Sequence, residues 1–144
     1  MLKNIDPLLT PDLLRILAAM GHGDVLAVVD SNFPAYSVAG GKPLVHLPSV
    51  DSLQVLAAIL TLFPVDTYDD EPIQTMQHVD DPAHVPDIVQ RVQQQILSRI
   101  APVPATRAIE RHAYYVAARA AVAVVQTGET LPYGNFLLRK GVLC

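Results

Sequence analysis

The sequence predicts an α/β fold of three layers, with a largely parallel central sheet and helices on both faces. Three observations lead there. Short apolar runs alternate with segments whose apolar residues recur at helical spacing, and strands separated by helices need crossovers, which set them parallel. The run Val25 to Val29 has no polar residue to mark a wet face, as a central strand covered on both sides requires. The 144 residues are 51% hydrophobic, enough to bury the core of one domain without disulfides or metals.

The elements follow in order. Thr10-Pro11-Asp12 starts a helix: Thr10 can accept a backbone N–H, Pro11 fits the first helical position, and Asp12 complements the positive helix end. Leu13, Leu14, Leu17 and Ala18 form its apolar stripe, and Gly21 is its natural stop. After the strand Val25 to Val29, the segment Ser31 to Pro48 carries Pro34, Gly40, Gly41, Pro43 and Pro48. It reads as irregular, with a brief strand near Leu44 to Leu47. A second helix is expected from about Val50 to Phe63, with Leu53, Leu56, Ile59, Leu60 and Phe63 on one side and Pro64 at its end.

Asp66 to Glu71 reads as a solvated acidic loop and Ile73 to Val79 as a strand. Val85, Ile88, Val92, Ile96 and Ile100 predict a third helix over Pro86 to Ile100, closed by Pro102 and Pro104. Arg107 to Glu110 suits a short strand, His112 to Ala120 a fourth helix and Ala121 to Gln126 a buried strand. Thr127-Gly128-Glu129 is a turn, and Phe136 to Leu138 the last strand. No repeat, linker or low-complexity tract divides the chain, so residues 1–144 are expected to form one domain.

A net charge of −4 and the lack of any Lys or Arg run argue against nucleic acid, because phosphate binding needs clustered positive charge. The N-terminus lacks the basic, apolar, small-residue order of a signal peptide, and no apolar stretch reaches roughly 18 residues. A cytoplasmic protein without a membrane partner is expected. The single cysteine, Cys144, cannot form an internal bridge.

Gly21-x-Gly23 invites a nucleotide reading, but a dinucleotide fingerprint places its glycines after a strand and before a helix. Here that order is reversed. His22, flanked by glycines, reads either as surface decoration or as a group whose ring meets a ligand. Metal sets drawn from His22, Asp24 and Asp30, or from His78, Asp80, Asp81 and His84, lack a diagnostic spacing, and no metal is expected. Asp30 ends a buried strand, where open parallel sheets bind ligands, though an aspartate there also caps turns. Tyr133-Gly134-Asn135 is either a turn before a strand or a ligand contact, and Glu110 with Arg111 reads as a surface ion pair beside Tyr114 and Tyr115. No serine or cysteine sits in a nucleophile motif. What remains are proton-transfer and hydroxyl-binding groups, suited to a small polyhydroxyl ligand.

Spaced motifs then match a known pattern over nearly the whole chain. They are Leu2-Lys3 through Leu8-Leu9, Met20-Gly21-His22-Gly23-Asp24, Asp30 through Phe33-Pro34-Ala35, Glu110-Arg111, Thr127-Gly128-Glu129, and Tyr133-Gly134-Asn135 through Leu138 and Lys140-Gly141-Val142. The sequence resembles the ribose pyranase and L-fucose mutarotase family, on the fucose mutarotase side. Gly134 and Arg111 favour that side; Asn32 and His112 depart from it, some fucose relatives having histidine and an aromatic there. The resemblance implies an isomerase that interconverts anomers of a free sugar. It further implies His22 as proton donor, a sugar bound by Asp30, Arg111, Tyr133, Gly134 and Asn135, no cofactor, and homo-oligomers that are often rings.

Mutarotation needs only a positioned acid and base to open and reclose a hemiacetal, worth about 10²- to 10⁴-fold. A non-catalytic monosaccharide-binding module and a pyranase acting on D-ribose are the alternative functions. One geometric difficulty stands out. Eight extended steps at roughly 3.3 Å would set His22 and Asp30 about 26 Å apart, too far to share one sugar. Either the chain curls back at one end or the site is assembled otherwise, near a subunit interface, and the Tyr133 to Asn135 segment is expected to reach a site on an adjacent chain.

Overall fold

In the structure, a computed structural model describing residues 1–144, Thr10 Oγ1 accepts the Leu13 N–H at 3.3 Å. From that cap α1 (Pro11–Ala19) runs, ending just before Gly21. A turn over residues 20–24 leads into β1 (Val25–Val29), whose residues alternate strictly between two cores. Leu26 and Val28 face one core, while Ala27 and Val29 face the other, so the strand is buried on both sides as its unbroken apolar run requires.

The region expected to be irregular contains a short helix, α2 (Ala35–Ala39), before β2 (Leu44–Leu47). The residues that read as breakers are its boundaries. Pro34 stands at the N-terminal cap, and Gly40, with φ of 56°, supplies the left-handed turn that ends it. Helix α3 (Ser52–Leu60) is shorter than its periodicity suggested, and Asp51 and Gln54 close a reciprocal capping box at its start. Strand β3 (Ile73–Met76) and helix α4 (Asp87–Gln95) follow. The predicted third helix does not continue to Ile100; at Ile96 the backbone φ opens to −119°, and Leu97–Arg99 form one 3₁₀ turn. The remaining elements are β4 (Thr106–Ile109), α5 (Arg111–Ala120), β5 (Ala123–Thr127) and β6 (Phe136–Arg139).

The six strands form one sheet in the order β2-β5-β1-β6-β3-β4. Neighbours are parallel except for β6, which runs antiparallel to both β1 and β3. Helices α1, α3 and α4 cover one face through Leu13, Leu17, Leu56, Ile59, Ile88 and Val92. Helices α2 and α5 cover the other through Ala35, Val38, Ala39 and Ala118, with Tyr114 and the partly buried Tyr115 as the large side chains. Each Leu, Ile or Val so buried contributes about 1.5–3 kcal/mol.

The reversed β6 defines two poles. The parallel strands deliver Asp30, Glu110 and Glu129 from their C-terminal ends to one edge of the sheet. Because β6 runs the other way, its leading loop, Tyr133 to Asn135, arrives at that same edge. At the opposite edge, the end of β6 meets the loop of His22 before β1 and the loop of Asp66 before β3.

Candidate active site

Asp30 follows β1 and is 6% exposed. Its backbone N–H donates to Asn135 Oδ1 at 3.0 Å, and its Oδ1 accepts the Asn32 N–H at 3.0 Å. Burial pushes its carboxyl above the ordinary aspartate range, while hydrogen bonds from Asn32, Phe33, Asn135 and Gly134 pull the other way. The bond from Asp30 also fixes the Asn135 amide, turning its Nδ2 toward Met76 Sδ, 3.9 Å away.

Around them lies a cleft of about 270 Å³, lined by Asp30, Asn32, Met76, Arg111, Tyr133 and Asn135 among others. That is a size for a small ligand. Arg111 opens α5; its Nε donates to Tyr115 Oη at 3.4 Å, and its guanidinium carbon lies 5.5 Å from the Tyr115 ring centre. The pairing with Glu110 expected from the sequence is not made. Glu110 is the N-cap of α5, its Oε2 accepting the N–H groups of His112 and Ala113 at 2.9 and 3.1 Å, and these bonds lower its pKa.

Tyr133 holds a left-handed backbone, φ 64°, which is costly for a non-glycine residue and common at ligand sites. Its Oη accepts the Val79 N–H at 3.3 Å, which leaves the phenol proton free for an acceptor in the cleft. Gly134 does not line the cleft. A Cβ there would stand 2.7 Å from Glu129 Cγ, so the glycine lets its loop pack on that buried side chain. Glu129 in turn accepts the N–H groups of Ser52 and Leu131.

His22 stands at the other pole, its side chain 48% exposed. Nε2 lies 3.2 Å from Asp66 Oδ1, and the ring centre is 5.7 Å from that of Tyr68. Asp66, read from sequence as part of a solvated loop, is instead buried at 5% exposure. The Tyr68 N–H and the His22 ring hold its carboxyl below the usual range. An ionised carboxylate only accepts, so Nε2 is the donor in this contact. A shallow groove beside the pair is lined by Tyr68, Asp69, Glu71 and Arg139, with Arg139 Nε 2.7 Å from Asp69 Oδ2. No group of three or more His, Cys, Asp or Glu side chains is arranged to hold a metal.

The structure therefore brings Asp30, Arg111, Tyr133 and Asn135 together and places Gly134 behind them, but His22 lies in a separate groove that shares no residue with the cleft. Asp66 beside His22, and Met76 and Tyr115 in the cleft, have no local sequence signature. Their places depend on strand order, which one sequence does not display.

Residues 3–143 match the RbsD / FucU transport protein family. The chain belongs to that family. It is 42% identical over 142 residues to an L-fucose mutarotase of Histophilus somni, covering 99% of this chain and 97% of that one. It is 43% identical over 145 residues to a human fucose mutarotase, covering 99% and 94%. Among solved structures it resembles a Streptococcus pneumoniae fucose mutarotase in complex with L-fucose, with a TM-score of 0.86, 35% identity and coverage of 99% and 100%. The fold of this chain thus matches that of the pneumococcal enzyme over essentially its whole length.

Proposed function

We propose that this chain is a monosaccharide mutarotase, an isomerase that interconverts the α and β anomers of L-fucose by acid–base ring opening and reclosure. The reading rests on one observation. A cleft of monosaccharide size gathers Asp30, Arg111, Tyr133 and Asn135 in a chain similar over nearly its full length to L-fucose mutarotases.

The groups suit the reaction. Asp30 and Tyr133 offer a charged acceptor and a free phenol proton to sugar hydroxyls, Arg111 donates to an oxygen, and the fixed Asn135 amide donates through Nδ2. His22 handles the ring-oxygen proton through Nδ1, while the Asp66 carboxylate holds Nε2–H and stabilises the imidazolium. As His22 protonates the ring oxygen, a general base takes the proton of the anomeric hydroxyl, the C1–O5 bond breaks and an open aldehyde forms. Rotation about C1–C2 and the reverse steps give the other anomer.

Since His22 and the cleft lie at opposite poles, the complete site is proposed to combine His22 of one subunit with the Tyr133 to Asn135 cleft of another in a homo-oligomer, acting in the cytoplasm. Anomer exchange followed by saturation-transfer NMR over L-fucose, D-ribose, D-galactose and D-glucose tests the function. L-fucose should be accelerated most. Ligand shifts without acceleration would mark a binding module, and preference for ribose with pyranose-to-furanose conversion would mark a pyranase.

A further inference from the structure

The segment Arg139 to Gly141 runs between the loops that carry His22 and Asp66. On the His22 side, the Gly23 N–H donates to Lys140 O and the Lys140 N–H to Asp24 O, each at 2.8 Å. The Lys140 ammonium caps the end of α1, donating to Leu17 O at 2.7 Å and Met20 O at 2.6 Å. On the Asp66 side, the Asp66 N–H donates to Arg139 O at 3.0 Å and the Gly141 N–H to Pro64 O at 2.8 Å, around a bridge between Val65 and Lys140. The His22–Asp66 contact thus spans two loops registered on the same three residues.

At Gly141 the two chains come closest. A Cβ there would lie 2.7 Å from Val65 O, 2.8 Å from Asp66 Cα and 2.9 Å from Val65 C. All three are backbone atoms, so no rotamer change could make room. Gly141 is not in the left-handed region, so the need is for space and not for an unusual conformation. Any side chain would push residues 65–66 outward, and a hydrogen bond already at 3.2 Å weakens steeply with further separation.

We propose that Gly141 is a positioning residue for proton transfer: its missing side chain seats the Asp66 backbone against β6 at the distance that joins its carboxylate to His22 Nε2. The proposal rests on the reading of His22 as the acid–base group. Orientation of one imidazole nitrogen by a fixed carboxylate sets the tautomer, and with it the nitrogen that faces the substrate.

The test is Gly141→Ala in the full chain, with Asp66→Ala as the reference for a His22 that has lost its carboxylate. Nitrogen-15 spectra of the histidine rings, recorded without sugar, should report Nε2–H for His22 in the wild type. Gly141→Ala should move that signature toward the mixture seen in Asp66→Ala, and kcat for L-fucose exchange should fall about tenfold with KM unchanged. A folded Gly141→Ala that keeps the wild-type ring signature overturns the proposal, whatever its activity. Should the protein prove inactive on L-fucose, the ring spectra still decide the role of Gly141. If the variant does not fold, hydrogen exchange in the wild type decides: the Asp66 and Gly141 amides should exchange at least about 100-fold slower than an unstructured chain, and unprotected amides would mean the seat is not formed.

Discussion

His22 and Asp30 flank the same strand, β1, one before it and one after, and the grooves they line have no residue in common. Five strand residues alone span roughly 17 Å, which no monosaccharide bridges. If each site joins His22 of one subunit to the cleft of another, His22→Ala and Asp30→Ala should each be inactive alone yet complement when unfolded together and reassembled. A 1:1 mixture should regain about a quarter of the wild-type sites. A mixture no more active than its components, in assemblies verified as mixed by mass spectrometry, would place both residues' functions within one chain.

Asp30 should trade stability for binding. Burial raises its folded pKa above its unfolded value, so its contribution favours folding at low pH and is lost as pH rises from the ordinary aspartate range through the raised value. At neutral pH the ionised carboxylate therefore costs stability. Asp30→Asn should melt at a higher temperature than the wild type at pH 7, and the gap should close on acidification. L-fucose binding should weaken roughly fivefold, since a hydrogen bond to a charged acceptor outweighs one to a neutral amide by about 1 kcal/mol. Calorimetry across pH with parallel sugar titrations reads both; a lower melting temperature at pH 7 would refute the assignment.

Tyr114 is fully buried against Phe33, and its hydroxyl finds no protein partner. Burial among apolar groups, with Asp30 nearby, raises its pKa well above the usual phenol, so it stays neutral. Leaving a polar group unpaired costs about 1–3 kcal/mol. Tyr114→Phe keeps the ring and removes the orphan, and should raise unfolding free energy by about 1 kcal/mol in denaturant titrations. A loss of similar size would reveal a partner for the hydroxyl.

Gly134→Ala tests how the cleft is held. Its Cβ would meet Glu129 Cγ at 2.7 Å inside a packed loop, and overpacking of this kind costs about 1–3 kcal/mol. The displaced loop carries Tyr133 and Asn135, so KM for L-fucose should rise several-fold while the His22 ring spectrum stays unchanged. A normal KM would show that the loop absorbs the methyl group.

The layers of the fold were legible because apolar periodicity reports burial directly: β1 and β2 lie where the sequence places them, and Thr10-Pro11 opens α1 as its chemistry dictates. Helix α2 was not, because Pro34 and Gly40 mark its two ends and so resemble an unstructured stretch. Of the residues singled out in the sequence, Asp30, Arg111, Tyr133 and Asn135 line one cleft, while Gly134 and His22 do not line it. Asp66 escaped, since its burial comes from bonds to the end of β6 more than seventy residues away, and nothing local separates it from the exposed acids beside it.

The most direct test is the exchange rate between α and β L-fucose, measured by saturation-transfer NMR with catalytic amounts of the protein. The wild type should accelerate exchange, and His22→Ala, with its fold verified, should return it to the uncatalysed rate. A wild type that leaves exchange at the rate of buffer, or a His22→Ala as active as the wild type, would contradict the account.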